Sequence, residues 1–308
     1  MVGRLRPVPN LVGRRSAKRQ EELAAWGLVL PIVILMLVFV GVPVVGALAL
    51  SLFSWTGLTD PSFIGIANYA RLLSDVSFRD SLLNTVSFAT LYVGGIYAAS
   101  LGLALLVNGR LRGSGVLRSM YFVPVAVSPA VAALLWTLVF DERSGILNGI
   151  TAVLGWDRIA WLGSTQFALF AVAVVAVWQA VGFAMIIQLA GLQDIPREYY
   201  EAAAVDGASG RTTFLHITLP LLKPTSAFVI ITALIDGFTV FDIVYVMTHG
   251  GPANSTTTVV YNIFKTGFQR LEFGYAAAQA VLLFAILFVL SFGLLRLFRQ
   301  ERAEEAWT

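Results

Sequence analysis

The chain has 308 residues, of which 57% are hydrophobic and 13% are charged, and its mean hydropathy is +0.79. This composition lies far from that of soluble proteins and excludes an ordinary water-soluble domain. Because the sequence contains no cysteine, disulfides and thiolate metal sites are excluded as well.

Six stretches are apolar over the ~20 residues that a helix needs to cross the hydrocarbon layer. Six such stretches with charged connectors could not be packed in water, so the sequence predicts an all-α membrane protein with six transmembrane helices. The first stretch is too long for a cleavable signal and lacks a small-residue cleavage site. The predicted spans are residues 26–54, 83–108, 118–140, 166–190, 225–248 and 274–298.

Lysine and arginine are distributed unequally between the connectors, which predicts the orientation in the membrane. Fifteen of the 21 lie in the N-terminal tail, the second and fourth connectors and the C-terminal end. We therefore expect the basic tail 1–25, the connector 191–224 and the C-terminal tail 299–308 to be cytoplasmic. The net charge of +3 then reflects topology and attraction to the lipid bilayer, and no nucleic-acid partner is expected.

The connectors on the opposite side are modest. Residues 68–73 are apolar enough for a short helix at the membrane interface, and Trp156 and Trp161 suit the headgroup level. The sequence 250–252, Gly-Gly-Pro, predicts the turn that ends the fifth span.

The connector between the fourth and fifth spans is longer than a simple link requires. Pro196 suits a helix start, since the first helical position has no partner for an amide, and Gly207 favours the end of that helix. Ser209 is expected to cap a second short helix, which Pro220 ends or kinks before the fifth span.

The first of these short helices has one face of small residues. Tyr200, Ala203, Ala204 and Gly207 recur at helical spacing, so a partner surface is expected to approach the backbone closely there. Glu201 lies beside that face and could offer a carboxylate to an arginine. The alternative is an amphipathic helix resting on the membrane, which its Ala and Gly residues would hold only weakly.

The spacing of Glu201-Ala202-Ala203, Gly207 and the later Ile217-x-Leu219-Pro220 resembles the coupling loop of binding-protein-dependent ABC importer permeases. In that family the loop inserts as a short helix into a cleft on a cytoplasmic ATPase subunit. The resemblance implies that Glu201 pairs with a basic group of the ATPase and that Gly207 makes the bend. The residues it assigns to coupling are Glu201, Ala202, Ala203, Gly207, Ile217, Leu219 and Pro220.

Further stretches are similar to sugar permeases of the maltose and glycerol-phosphate type, in their first-subunit form. They are Asn84-Thr85, residues 118–124 with 134–136, and residues 241–248 with 250–252. The resemblance covers about residues 26–298 and implies a type I ABC importer permease fold. The permease domain is expected at 83–298, including the coupling loop 194–220. One departure is His249, where such permeases often have glycine.

The sequence contains no Gly-x-x-x-x-Gly-Lys-Ser/Thr phosphate loop, so this chain is expected neither to bind ATP nor to be an enzyme. The resemblance implies four partners: a second homologous permease subunit, a dimer of ATPase subunits that holds ATP and Mg²⁺, an extracytoplasmic solute-binding protein, and a sugar-like solute. The expected location is a prokaryotic inner membrane. No cofactor or metal is expected on this chain, because His216 and His249 fall on opposite sides of the membrane.

Polar residues inside spans are costly and usually face protein or a water-filled cavity. In maltose-type permeases the pocket lies mid-membrane, just after a fourth-span tryptophan and on the fifth span. The resemblance therefore points to Gln179, Phe183, Asp236 and Thr239 as substrate contacts. Each could instead bond a neighbouring helix, and for Asp242 such a structural or inter-subunit bond is the expectation.

Two other classes stay open at this point. One is a self-contained secondary transporter with Asp236 as the coupling acid, and the other is a membrane scaffold that transports nothing. Among solutes, a sugar or sugar-like compound is expected, with glycerol phosphate as the non-sugar alternative.

Overall fold

A computed structural model describes residues 25–109 and 114–305. Three parts of the chain lie outside the described residues: the predicted basic tail up to residue 24, residues 110–113 of the second connector with Arg110 and Arg112, and the last three residues. The helices are α1 (Ala25–Leu50), α2 (Ala67–Ser74), α3 (Val76–Asn108), α4 (Ser114–Ala126), α5 (Pro129–Val139), α6 (Ile146–Val153), α7 (Ala168–Asp194), α8 (Arg197–Val205), α9 (Gly210–Phe238), α10 (Asp242–Met247), α11 (Val259–Phe264) and α12 (Phe273–Glu305).

Helices α1, α3, α7, α9 and α12 are each long and apolar enough to cross a membrane, and the bent pair α4–α5 makes a sixth span. The predicted all-helical fold with six spans is therefore confirmed. The bundle is centred on α3, α7 and α9, whose contacts bury Phe88, Tyr92, Val172 and Val229. Helix α12 packs against α9, and α1 packs mainly against α12, with no residue of its most apolar stretch buried.

The third span was predicted as one continuous helix over 118–140, and this is wrong. Helices α4 and α5 meet at an angle of 100° around Val127 and Ser128. Ser128 caps α5 by accepting a hydrogen bond from the Val131 amide at 3.4 Å, and Pro129 occupies the first turn. A Ser-Pro pair both disfavours the preceding helix and starts a new one, so the break has a local cause.

The fifth span also differs from its predicted bounds of 225–248. Its helix, α9, starts at Gly210 and ends at Phe238. The expected cap is confirmed, since the Ser209 hydroxyl accepts a hydrogen bond from the Thr212 amide at 3.2 Å. Pro220 does not end this helix, however, which continues into the fifth span. Pro220 has no amide hydrogen to donate, and a widened turn over Phe214–Thr218 precedes it, with the Leu219 amide bonded to the Phe214 carbonyl. The chain passes the proline without breaking the helix.

The first span ends at Leu50, four residues before its predicted end. Two short strands follow, β1 (Phe53–Ser54) and β2 (Ser62–Phe63), paired antiparallel with Phe53 opposite Phe63. Helix α2 confirms the short helix expected over 68–73. The side-chain amide of its Asn68 donates hydrogen bonds to the Ser51 and Phe53 carbonyls at 2.8 and 3.0 Å. These bonds fix α2 against the hairpin.

The two outer tryptophans lie in different surroundings. Trp156 is 65% exposed, whereas Trp161 packs between Phe140 and Phe167 with ring centroids 5.8 and 6.0 Å away. Trp161 is therefore part of an aromatic cluster within the fold, and the position of the two tryptophans at the headgroup level stays a prediction.

Asp75 joins the start of α3 to α12. Its Oδ1 accepts hydrogen bonds from the amides of Ser77 and Phe78 at 2.8 and 3.3 Å, which caps the helix. Its Oδ2 accepts from the Tyr275 hydroxyl at 2.6 Å. The Arg71 guanidinium lies 3.9 Å from the centre of the Tyr275 ring, and its hydrogen bond to Glu272 raises the pKa of Arg71 above its ordinary value.

We expect Asp75→Ala to lower the free energy of unfolding by about 1–3 kcal/mol, because it removes a helix cap and leaves the Tyr275 hydroxyl without its acceptor. Thermal unfolding of the detergent-purified protein would measure this as a lower midpoint. Asp80→Ala is the matched control, since Asp80 is exposed and pairs only with neighbouring Arg79 at 3.4 Å. Equal midpoints for the two variants would contradict the prediction.

Candidate functional site

Two breaks in spanning helices lie side by side, because α5 and α10 pack against each other. Non-helical backbone at membrane depth is tolerated only where protein or enclosed water satisfies its polar groups. At the first break, the Gln179 side chain on α7 donates to the Val127 carbonyl at 3.2 Å. At the second, the Thr258 hydroxyl donates to the Val240 carbonyl at 3.1 Å. The breaks are thus stabilised by residues distant in the sequence.

A cavity of about 270 Å³ lies between these breaks, α3 and α7. Its polar lining comes from Gln179 on α7 and from Asp236 and Thr239 at the end of α9. A smaller space of about 50 Å³ adjoins it, shares Asp236 in its lining, and adds Phe183. The four residues predicted to contact substrate therefore line two adjoining cavities.

Two aromatic residues of α3 were not predicted for this site. Phe88 and Tyr92 line the larger cavity with their rings stacked, the centroids 5.8 Å apart. They are only 1% and 6% exposed, so they offer the cavity a small aromatic surface, of the kind that packs against the apolar face of a sugar ring. In the sequence they are two aromatics among many in an apolar span, and no local signal separates them from ordinary core residues.

The polar residues that line the cavity differ in whether their side chains are already bonded to other groups of this chain. The Thr239 hydroxyl donates to the Ile235 carbonyl of its own helix at 2.8 Å, and Gln179 holds the break at Val127. Asp242 also lines the cavity as the first residue of α10, where a helix N-terminus stabilises a carboxylate. Asp236 takes part in neither of the salt bridges found among the described residues, which are Arg71–Glu272 and Arg79–Asp80.

The cavity is open at the surface of this chain. Phe183 is 54% exposed, and Asp236 and Thr239 are exposed as well. A carboxylate facing lipid at the bilayer centre costs about 2.5–3.5 kcal/mol on insertion scales. This open side therefore requires water or a second protein surface against it.

The segment between the fourth and fifth spans begins with α8, which starts after Pro196 and ends at Gly207. Gly207 has a φ of +70°, a left-handed conformation that glycine adopts at little cost. The amide of Ala208 bonds to the Ala203 carbonyl at 2.9 Å and that of Gly207 to the Ala204 carbonyl at 3.2 Å. This pair of bonds is the glycine-dependent stop of the Schellman motif.

The predicted partner-facing side of α8 is wrong for two of its four residues, Tyr200 and Ala203. The Tyr200 hydroxyl lies 3.2 Å from that of Thr218, and Ala203 is only 7% exposed. Both turn toward the chain itself, where Tyr200 packs on the apolar cluster that contains Leu192 and Ile195. Physically, an exposed helix of nine residues needs such an inward anchor to stay ordered.

The opposite side of α8 faces outward. We call it the outward face, and it is formed by Glu198, Glu201, Ala202 and Val205. Val205 is 88% exposed although it is apolar. Of the other residues assigned to coupling, Leu219 packs on the same cluster as Tyr200, and Ile217 and Pro220 are half-buried. Leu219 therefore helps to anchor α8, whereas Glu201 and Ala202 are exposed and free to meet a partner.

His249 lies in the left-handed region with a φ of +50°, and its ring packs at a tilt against Tyr245 with the centroids 5.4 Å apart. Glycine reaches this conformation more cheaply than histidine, which accounts physically for the glycine expected at this position. Within residues 25–109 and 114–305, no group of three or more His, Cys, Asp or Glu side chains could hold a metal ion.

Residues 92–303 match the family described as "Binding-protein-dependent transport system inner membrane component". The chain is 38% identical to the trehalose/maltose transport system permease protein MalF of Thermococcus litoralis, over 89% of this chain and 92% of that protein. It is 39% identical to the sn-glycerol-3-phosphate transport system permease protein UgpA of Agrobacterium fabrum, over 75% and 78% of the two chains.

A similar fold occurs in the crystal structure of a bacterial alginate ABC transporter in complex with an alginate pentasaccharide-bound periplasmic protein. The TM-score is 0.78 at 22% identity, and the match covers 93% of this chain and 96% of that one. Together, the match over residues 92–303, the similar curated relatives and the six spans establish that this chain belongs to the family of multi-pass inner membrane components of binding-protein-dependent transport systems.

Proposed function

We propose that this chain is one permease subunit of an ATP-driven, binding-protein-dependent importer and forms half of the transmembrane pathway for a sugar or sugar-like solute. The observation that carries the proposal is the half-open cavity at the two helix breaks. It places a carboxylate, an amide and two aromatic rings at one site inside the bundle. A second, homologous permease subunit would cover the open side and supply the other half.

The outward face of α8 supports a docking site for a separate ATPase dimer. The helix is anchored from within by Tyr200 and Ala203, so a force on Glu201 and Ala202 would be passed to α7 and α9, two of the helices that line the cavity. ATP and Mg²⁺ would be held by the ATPase. The excess of Lys and Arg on this side supports a cytoplasmic position for α8 and for both termini.

The cavity lining supports a hydroxylated solute over a phosphate ester. Carboxylate and amide groups bond well to sugar hydroxyls, with an aromatic ring against the apolar sugar face. None of the residues that line the two cavities in the described part of the chain is basic. A phosphate group would meet the carboxylates of Asp236 and Asp242 with no compensating cation from this subunit. The trehalose/maltose relative is therefore the better guide to substrate class than the glycerol-phosphate one.

The test is uptake into proteoliposomes that contain this chain, its partner permease, the ATPase and the solute-binding protein. We expect accumulation of a neutral sugar only when ATP is supplied on the ATPase side and the binding protein on the other. Omission of the binding protein is the internal control. Uptake by this chain alone without ATP would contradict the proposal and indicate a self-contained secondary transporter.

A further inference from the structure

A third cavity, separate from the two of the candidate pathway, lies between α3, α4 and α7. It has a volume of about 490 Å³ and is lined almost entirely by apolar side chains. Leu103, Met120, Tyr121, Pro124, Val177 and Trp178 form most of its wall. We call it the apolar cleft.

The apolar cleft exists because α4 packs closely against α7 but not against α3. At Gly182 of α7 an added Cβ would collide with the Tyr121 carbonyl, so the two helices touch at their backbones. Helix α4 packs broadly on α7 and barely on α3. The bend after Ala126 keeps α4 tilted in this way, and the wedge beside α3 is left open.

One cation lies on the same helix as part of this apolar wall, although its own side chain is not among those that line the cleft. Arg118 follows Leu117 and precedes Met120 and Tyr121, all three of which line the cleft. It is half-buried, and its Nε is buried without a hydrogen-bond partner. Neither salt bridge found in the described part of the chain involves it. A guanidinium group that is partly removed from water without an anion is costly, so an anionic partner from outside the chain is expected.

We propose that the apolar cleft binds an anionic phospholipid, with one acyl chain in the cleft and the phosphate on Arg118. An apolar cavity of this size would stay dry and lose packing contacts unless a hydrocarbon chain fills it. Arg118 is in the second turn of α4, about 6 Å along the axis from its first residue, and so lies near the end of the span at which a lipid headgroup would be bound.

The two features together select this class of ligand. A soluble anion would neutralise Arg118 and leave the apolar cleft empty. A zwitterionic lipid would fill the cleft, but its choline group would compete for the phosphate. Only an amphiphile with a net negative headgroup satisfies both parts of the site.

Native mass spectrometry of the assembled transporter tests this with phosphatidylglycerol and phosphatidylcholine of identical acyl chains. We expect phosphatidylglycerol to be retained at least tenfold better, and Arg118→Gln to remove that preference. Arg118→Lys should keep most of it. Arg296→Gln is the matched control, because Arg296 also lies near the end of a span, with its guanidinium 4.4 Å from the Phe292 ring centre, but on α12, which contributes no residue to the cleft. Leu103→Trp, which fills the cleft, should lower retention of both lipids.

Three results would overturn the proposal. The first is equal retention of the two lipids by the unchanged protein. The second is displacement of phosphatidylglycerol by millimolar inorganic phosphate, which would mean that Arg118 binds a free anion. The third is a lipid that binds this chain alone and is lost on assembly, which would mean that another subunit covers the cleft. Thermal unfolding of each variant establishes that a lost preference does not come from misfolding.

Discussion

Replacement of Asp236 by alanine is expected to lower ATP-driven sugar uptake at least tenfold while the complex still assembles. Asp236 lines both adjoining cavities and takes part in no salt bridge among the described residues, so its carboxylate is available to a solute. Hydrogen bonds to a charged group contribute about 1.5–3 kcal/mol each. Loss of one such hydrogen bond corresponds to roughly a 10- to 150-fold lower affinity of the transporter for its solute.

The measurement is initial uptake rate against solute concentration in proteoliposomes, together with the thermal unfolding midpoint. Thr90→Ala on α3 is the control, because the Thr90 hydroxyl is exposed and bonds only the Val86 carbonyl of its own helix at 2.8 Å. If Asp236 instead bonds a neighbouring subunit, Asp236→Ala will lower the midpoint of the complex and the uptake together. Uptake within twofold of the unchanged protein would contradict both roles.

Reversal of charge at Glu201 is expected to release the ATPase. Glu201 lies on the outward face of α8, where a carboxylate can pair with a basic group of a docked partner. Truncation of one member of a buried interfacial charge pair costs about 2–5 kcal/mol, and the added repulsion of a lysine increases this. Glu201→Lys should therefore reduce ATPase co-purification at least thirtyfold and abolish coupled uptake.

Glu142→Lys provides the matched control, since Glu142 is also exposed but lies in the connector between α5 and α6, on the other side of the bundle. A comparison of two neighbouring alanines separates docking from folding. Ala202→Leu should weaken ATPase binding with little change in the stability of this chain, because Ala202 is exposed. Ala203→Leu should destabilise α8 itself, because Ala203 is buried. Intact coupled uptake by Glu201→Lys would refute the assignment of α8 as the docking helix.

The number of spans and the position of α8 follow from the amino-acid sequence by itself. Both depend on local physics: a run of about twenty apolar residues satisfies its own backbone in lipid, and Gly207 stops a helix through its own φ. The break at Ser128-Pro129 has a local signal too, but six expected spans made a continuous helix the simpler prediction. Pro220 shows the opposite error, since a widened turn carries the helix past it.

Which side of each helix faces which neighbour had to come from the tertiary structure. A span such as α7 is apolar around its whole circumference, so hydropathy does not indicate an inward side. Gln179 and Asp236 are 57 residues apart and come together with Phe88 and Tyr92 only because α3, α7 and α9 pack as they do. The inward turn of Tyr200 and Ala203, and the cleft beside Arg118, likewise depend on how helices distant in sequence pack against each other. Local rules therefore set where helices begin and end, whereas close packing between helices determined which residues form a site.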